Sequence, residues 1–126
     1  MSAFAGGPAR FVAVFALCAC AVDPYRLDAP RSAAGVELAP YALHEECFRL
    51  DAGERIDFYF VSVAPVAFNV HYHDGNAIVM PVSRDSVSSD AGIFAPRITQ
   101  GYCLMWEAGG SGAALDYRAL VRRVRP

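Results

Sequence analysis

From Val36 onward, apolar and polar residues alternate with a period of two. In "ERIDFYFVSV", Ile56, Phe58 and Phe60 share one face, with Asp57 and Tyr59 on the other. "AFNVHYH" sets Phe68, Val70 and Tyr72 against Asn69, His71 and His73. "GYCLMWE" sets Tyr102, Leu104 and Trp106 against Cys103, Met105 and Glu107. "ALDYRALVRRV" sets Leu115, Tyr117, Ala119 and Val121 against Asp116, Arg118 and Arg122. A side chain points to the opposite face at each step along a strand, so these runs predict strands with one face buried. Turn signals fall between them: "DAG" at Asp51, Pro65, "DGN" at Asp74, Pro81, Pro96 and "GGSG" at Gly109. No stretch carries the spacing of an amphipathic helix. The expected fold is all-β, a small antiparallel sandwich of about seven to eight short strands over residues 36–126.

The first residues follow another rule. One positive charge at Arg10 precedes a nine-residue apolar run, Phe11 to Ala19. That run is shorter than the roughly 20 residues of a membrane-spanning helix. The order of charge, short apolar core and small residues is that of a secretory signal, assigned to residues 1–19. "LCAC", Leu17 to Cys20, resembles the lipobox of bacterial lipoproteins. The resemblance implies cleavage before Cys20 and lipidation of its thiol, with Ala21 at the next position favouring an outer-membrane destination. The alternative is an ordinary cleavage that releases a soluble periplasmic protein at Val22. Residues 20–35 hold Pro24, Pro30 and scattered charges without periodicity, and they read as a tether.

Four cysteines are present. Cys18 leaves with the signal and Cys20 takes the lipid, or both leave. Cys47 and Cys103 remain in an exported chain, where disulfides persist. Their pairing would stabilise the fold by about 4 kcal/mol through loop closure. The alternative is a pair of buried free thiols.

A cysteine opening the core, then "LDAGERIDFYFVSVAPVAFNVHY", then "GYCLMWEAGGSGAALDYRALV", resembles the GOLD domain. That is the β-sandwich of the cargo-handling p24 proteins and of some lipid-transfer proteins. The likeness lies in the order of features over about residues 46–124: a Gly-Glu turn, alternating aromatics, Tyr-x-Leu-x-Trp, a polar turn and a final Leu-x-Tyr strand. The resemblance implies a β-sandwich that binds a partner rather than catalyses a reaction. The coiled coil and membrane helix of p24 proteins have no counterpart here.

Candidate chemistry is sparse. The net charge is -2 and all eleven basic residues are Arg, so charge does not suggest nucleic acid. His71 and His73 stand at i, i+2 before a hairpin signal. Either hairpin register, with Asp74-Gly75 or Gly75-Asn76 as the turn, puts Met80 on their face. Two imidazoles and a thioether suit copper, and zinc would need a further ligand from His44, Glu45 or Glu46. Both histidines also read simply as solvated residues of a half-exposed strand. Ser111 in "GGSGA" is a turn residue rather than a nucleophile elbow, because Ala113 stands where that motif needs Gly. If Glu45 and Glu46 lie on a strand they point to opposite faces, so they are not a glycosidase pair by themselves. Arg118 and Arg122 share a face, where they would meet anionic headgroups or a partner's carboxylates, or protect an edge strand. The leading expectation is a lipid-anchored, non-catalytic module for a protein or lipid partner, facing the periplasm. The second is a periplasmic copper or zinc protein using His71 and His73.

Overall fold

The computed structural model describes residues 30–123, and these form six antiparallel strands with no helix. They are β1 (Arg31–Leu38), β2 (Leu43–Leu50), β3 (Arg55–Asp74), β4 (Ala77–Phe94), β5 (Gln100–Ala108) and β6 (Ala113–Arg122). The signal segment, Cys20 and most of the expected tether lie outside the described residues. β1 begins at Arg31, so residues 31–35 belong to the sheet and not to a tether. The strand continues through Gly35 because a one-residue bulge there is held by the Asp116 carboxylate, which accepts the Gly35 N–H at 2.7 Å.

Pairing runs β1-β6-β3-β5-β2, with β4 on the other edge of β3. β3 is the shared element. Its first half pairs with β6 from Arg55↔Arg122 to Ser62↔Leu115. Its second half pairs with β5 from Val66↔Ala108 to His71↔Cys103. β4 follows both halves as one long hairpin arm, from Asp74↔Ala77 to Ile56↔Phe94. The sheet therefore curls into two facing layers, one holding β1 and β6, the other β2 and β5, with β3 and β4 passing from one to the other. Fewer and longer strands result than the seven to eight short ones expected. Pro65 reads as a break but sits inside β3, between the last β6 partner and the first β5 partner. A residue without an N–H is tolerated where the ladder is interrupted. Pro81 is tolerated similarly, on edge strand β4 where Val70↔Val82 and Tyr72↔Val79 leave a bulge.

The core lies between the layers. All four predicted inward faces are turned into it, with only Tyr72 left partly exposed. In a straight strand Phe60 and Phe68 would stand about 26 Å apart. Their ring centroids are 4.7 Å apart. Trp106 meets Phe60 edge-on at 5.8 Å and Tyr117 at 4.8 Å, joining β5 to both β3 and β6. Each such ring, fully buried, contributes about 1.5–3 kcal/mol. The β3–β4 turn is Gly75-Asn76, with positive φ at Gly75 only, the pattern of a type II′ hairpin.

β6 is flanked by β1 and β3 on its two sides, so its arginines do not guard a sheet edge. Below it, the turn before β3 buries the Glu54 carboxylate, which accepts the Asp51 N–H at 2.7 Å and pairs with Arg123 at 3.2 Å. At the opposite end, Gly112 closes the β5–β6 turn with a φ of 70° and an N–H donated to Gly109 at 3.1 Å. A Cβ there would meet the Leu38 carbonyl oxygen at 2.7 Å. Gly112→Ala combines a left-handed backbone with a collision against rigid backbone. It is expected to cost about 2–3 kcal/mol, read as a lowered urea midpoint with an unchanged slope.

Candidate functional site

The outer face of the second layer carries the predicted disulfide and histidine residues. Cys47 and Cys103 stand opposite each other on β2 and β5 and form a disulfide. Such a bond persists under oxidising conditions, which accords with export. On the other side of Cys103 stands His71. His71 is therefore not a solvated strand residue, because it is only 4 % exposed beside the disulfide. Its Nδ1 lies within hydrogen-bond distance of Asn69 Oδ1, at 2.8 Å. Its Nε2 faces Glu45 Oε1 at 3.7 Å. Burial holds the His71 imidazole below the usual histidine range; the Glu45 charge opposes that shift and His73 adds to it.

His73 is exposed, with its ring 5.4 Å from that of His71 and nearly perpendicular to it. Met80 falls in the β4 bulge across from His71, in the register expected for the Gly75-Asn76 turn, and is about half exposed. Of the three candidates for a further ligand, only Glu45 joins this face. His44 and Glu46 point to the other side of β2. Among the described residues, Glu45, Cys47 and Cys103 form the one group of three whose ligand atoms lie within 4.8 Å of each other. The closed disulfide leaves that group without thiolates.

His44 and Glu46 instead meet Tyr117 where the two terminal strands of the sheet come together. The Tyr117 hydroxyl donates to Glu46 Oε1, and His44 Nε2 donates to the Tyr117 oxygen at 3.0 Å. Arg31 of β1 reaches Glu46 at 3.2 Å, donates to the Cys47 carbonyl at 2.7 Å and lies over the Phe48 ring at 4.5 Å. β1 and β2 thus join through side chains rather than through a ladder. Arg122 is committed to Asp57 at 3.1 Å, and Arg118 stands exposed beside Tyr59 on the outer face of the first layer.

A cleft of about 310 Å³ opens where the hairpin meets the segment between β4 and β5. Tyr72, Val79 and Pro81 form one wall, Phe94 and Tyr102 the floor, and Pro96, Arg97 and Ile98 the rim. Tyr102 packs edge-on against Tyr72 and Phe94, and its hydroxyl donates to the Ile98 carbonyl at 2.8 Å, which fixes the rim to the floor. Arg97 is the only charged lining residue, and it is exposed. The alternation of residues puts Tyr72 and Tyr102 on inward faces and does not show that the rim leaves space above them. Sequence reasoning also missed Asn69, although Asn69 and His71 occupy alternate positions and share a face.

Burial raises the Tyr117 hydroxyl well above the usual tyrosine range, helped by its hydrogen bond to Glu46 and by the Glu46 charge and opposed by Arg31. A group whose folded pKa is raised stabilises the fold fully below its unfolded pKa, about 10 for tyrosine, and loses that contribution as pH rises beyond it. The melting temperature is therefore expected to fall as pH is raised above about 10. Tyr117→Phe should show a shallower alkaline decline, measured by thermal denaturation across that range.

No known protein-family model matches the chain, and comparison with curated proteins finds no match.

Proposed function

We propose that this chain is an exported, lipid-anchored binding module of GOLD-like architecture, without a catalytic role, that faces the periplasm from the outer membrane or cell envelope. The lipobox-like "LCAC" supports the anchor at Cys20. The Cys47–Cys103 bridge supports an oxidising compartment. Binding is assigned to the cleft floored by Phe94 and Tyr102, and this cleft is the observation that carries the reading. Its volume of about 310 Å³ lies at the low end of small-molecule sites, which run about 300–1,000 Å³. It therefore suits one acyl chain or one large apolar side chain, not a whole diacyl lipid. Apolar walls with a single cation at the rim select an apolar body with an anionic end, the chemistry of a fatty acyl group or of a partner's acidic-aromatic segment. Arg118, exposed on the outer face of the first layer, offers a secondary contact to anionic groups; Arg122 is paired with Asp57, which it shares with Arg55.

Titration with decanoate, followed by NMR of the aromatic resonances, tests the cleft. Saturable shifts are expected at Tyr72, Phe94 and Tyr102. Arg97→Glu should weaken decanoate binding by about fivefold or more, the scale of a lost rim ion pair, and leave decanol binding unchanged. Shifts absent from all three rings, or equal loss of decanoate and decanol, would contradict the assignment.

A further inference from the structure

We propose that the outer face of the first layer rests on a lipid bilayer, with Tyr59, Val61, Val63 and Ile93 at the headgroup level. The inference builds on the anchor at Cys20. Its evidence is an inverted pattern along β3. A strand with one buried face keeps its outward positions polar. Here Ser62 is buried, whereas Tyr59, Val61 and Val63 point outward and are 53 %, 41 % and 87 % exposed. Ile93 of β4 stands opposite Asp57, so it shares their face, and it is 63 % exposed. The core does not use these four side chains, since Phe58 and Phe60 fill the inward positions. A contiguous exposed apolar stripe marks a contact surface.

Two magnitudes select the occupant. The first is area. Four strands about 4.8 Å apart and about nine residues long make a face of roughly 20 Å by 30 Å, about 600 Å². A stable pair of subunits buries about 800 Å² on each partner, so the face is small for a second copy. The second is the reach of the chain. Cys20 stands eleven positions before Arg31. The segment between them spans at most about 40 Å. It enters the sheet on this layer: Ser32 stands opposite Arg118, and Arg118 opposite Tyr59. Two strand spacings put that entry about 10 Å from Tyr59. A lipidated Cys20 therefore keeps the stripe close to the bilayer. Tethering raises the effective concentration of the surface, so a small apolar contact suffices.

The chemistry of the face suits a headgroup layer. Tyrosine favours that level because it joins an apolar ring to a polar hydroxyl. Ser32, Tyr59, Asp116 and Arg118 line an open hollow of about 550 Å³. There the Arg118 guanidinium can take a headgroup phosphate through two N–H groups. Three cations on the face, Arg55, Arg118 and Arg122, are balanced by Glu37, Asp57 and Asp116. The contact therefore follows the apolar stripe and not the net charge of the lipid, and phosphatidylcholine is a sufficient bilayer.

The test uses the protein recovered from the membranes of the producing cell, reconstituted into vesicles of brominated phosphatidylcholine. Its mass reports whether Cys20 is acylated. Fluorescence of the Tyr59→Trp variant reports the face, and the parent, with Trp106 buried in the core, supplies the background. An interfacial side chain lies about 5–10 Å into the headgroup boundary, so the added emission should shift to the blue and fall by about half or more. Leu43→Trp, on the outer face of the second layer, should stay unquenched. Adding Val61→Asp to Tyr59→Trp should remove most of the quenching, with a melting temperature matching that of Tyr59→Trp alone. An acylated chain without quenching at position 59, with equal quenching at position 43, or with quenching untouched by Val61→Asp would overturn this inference and leave the anchor standing. Emission that is blue-shifted but unquenched would mean that a second copy or the chain's own leading residues cover the stripe, which also overturns it. A mass without acyl groups would overturn the anchor and this inference with it.

Discussion

The fold depends on one bent strand. β3 leaves β6 at Ser62 and joins β5 at Val66, and the turn it makes brings Phe58 and Phe60 against Phe68. Without that bend each layer would be a small sheet with one apolar face in water. With it, both apolar faces close on each other, and Trp106 fills the space between them. The bend is possible because the ladder is interrupted at Pro65, where no neighbour asks for an N–H. Burial of the aromatic rings supplies the driving force, and the interruption supplies the place where the strand yields.

The same bend separates two surfaces. Inside the curl, the hairpin and the segment after β4 leave a cleft above Phe94 and Tyr102. Outside it, the disulfide between β2 and β5 covers His71 and holds Glu45 at its edge. The seam between β1 and β2 is closed by Arg31, Glu46, Tyr117 and His44. These polar contacts tie the ends of the sheet without extending the ladder. A partly buried network of this kind is stable only while each member keeps its partner. It is therefore more sensitive to pH than the apolar core.

Much of the fold was legible in the alternation of residues. The four runs with Ile56, Phe68, Tyr102 and Leu115 at their inward positions gave the correct faces, because half-buried strands record their burial at every second residue. β1, β2 and β4 lay outside those runs. "RSAAGVEL" contains a bulge that shifts its period, and "PVSRDSVSSD" lies on an edge strand with little apolar surface to bury. Pro65 and Pro81 were read as strand ends because the sequence does not show where a ladder will be interrupted. For the site, His71 and His73 were visible but their surroundings were not. Once Cys47 is paired directly across from Cys103, Glu45 must fall on the face of His71. That placement requires knowing which strands are neighbours, which no single run of residues records.

In the proposed reading, anchor, compartment and staple belong together: a disulfide persists in an oxidising compartment, and a lipidated Cys20 would be made only on an exported chain. The intact mass of the protein recovered from the membranes of the producing cell tests all three at once. The expected chain begins at an acylated Cys20 and has Cys47 and Cys103 joined. A chain that keeps Met1, with free thiols at 47 and 103, would contradict it.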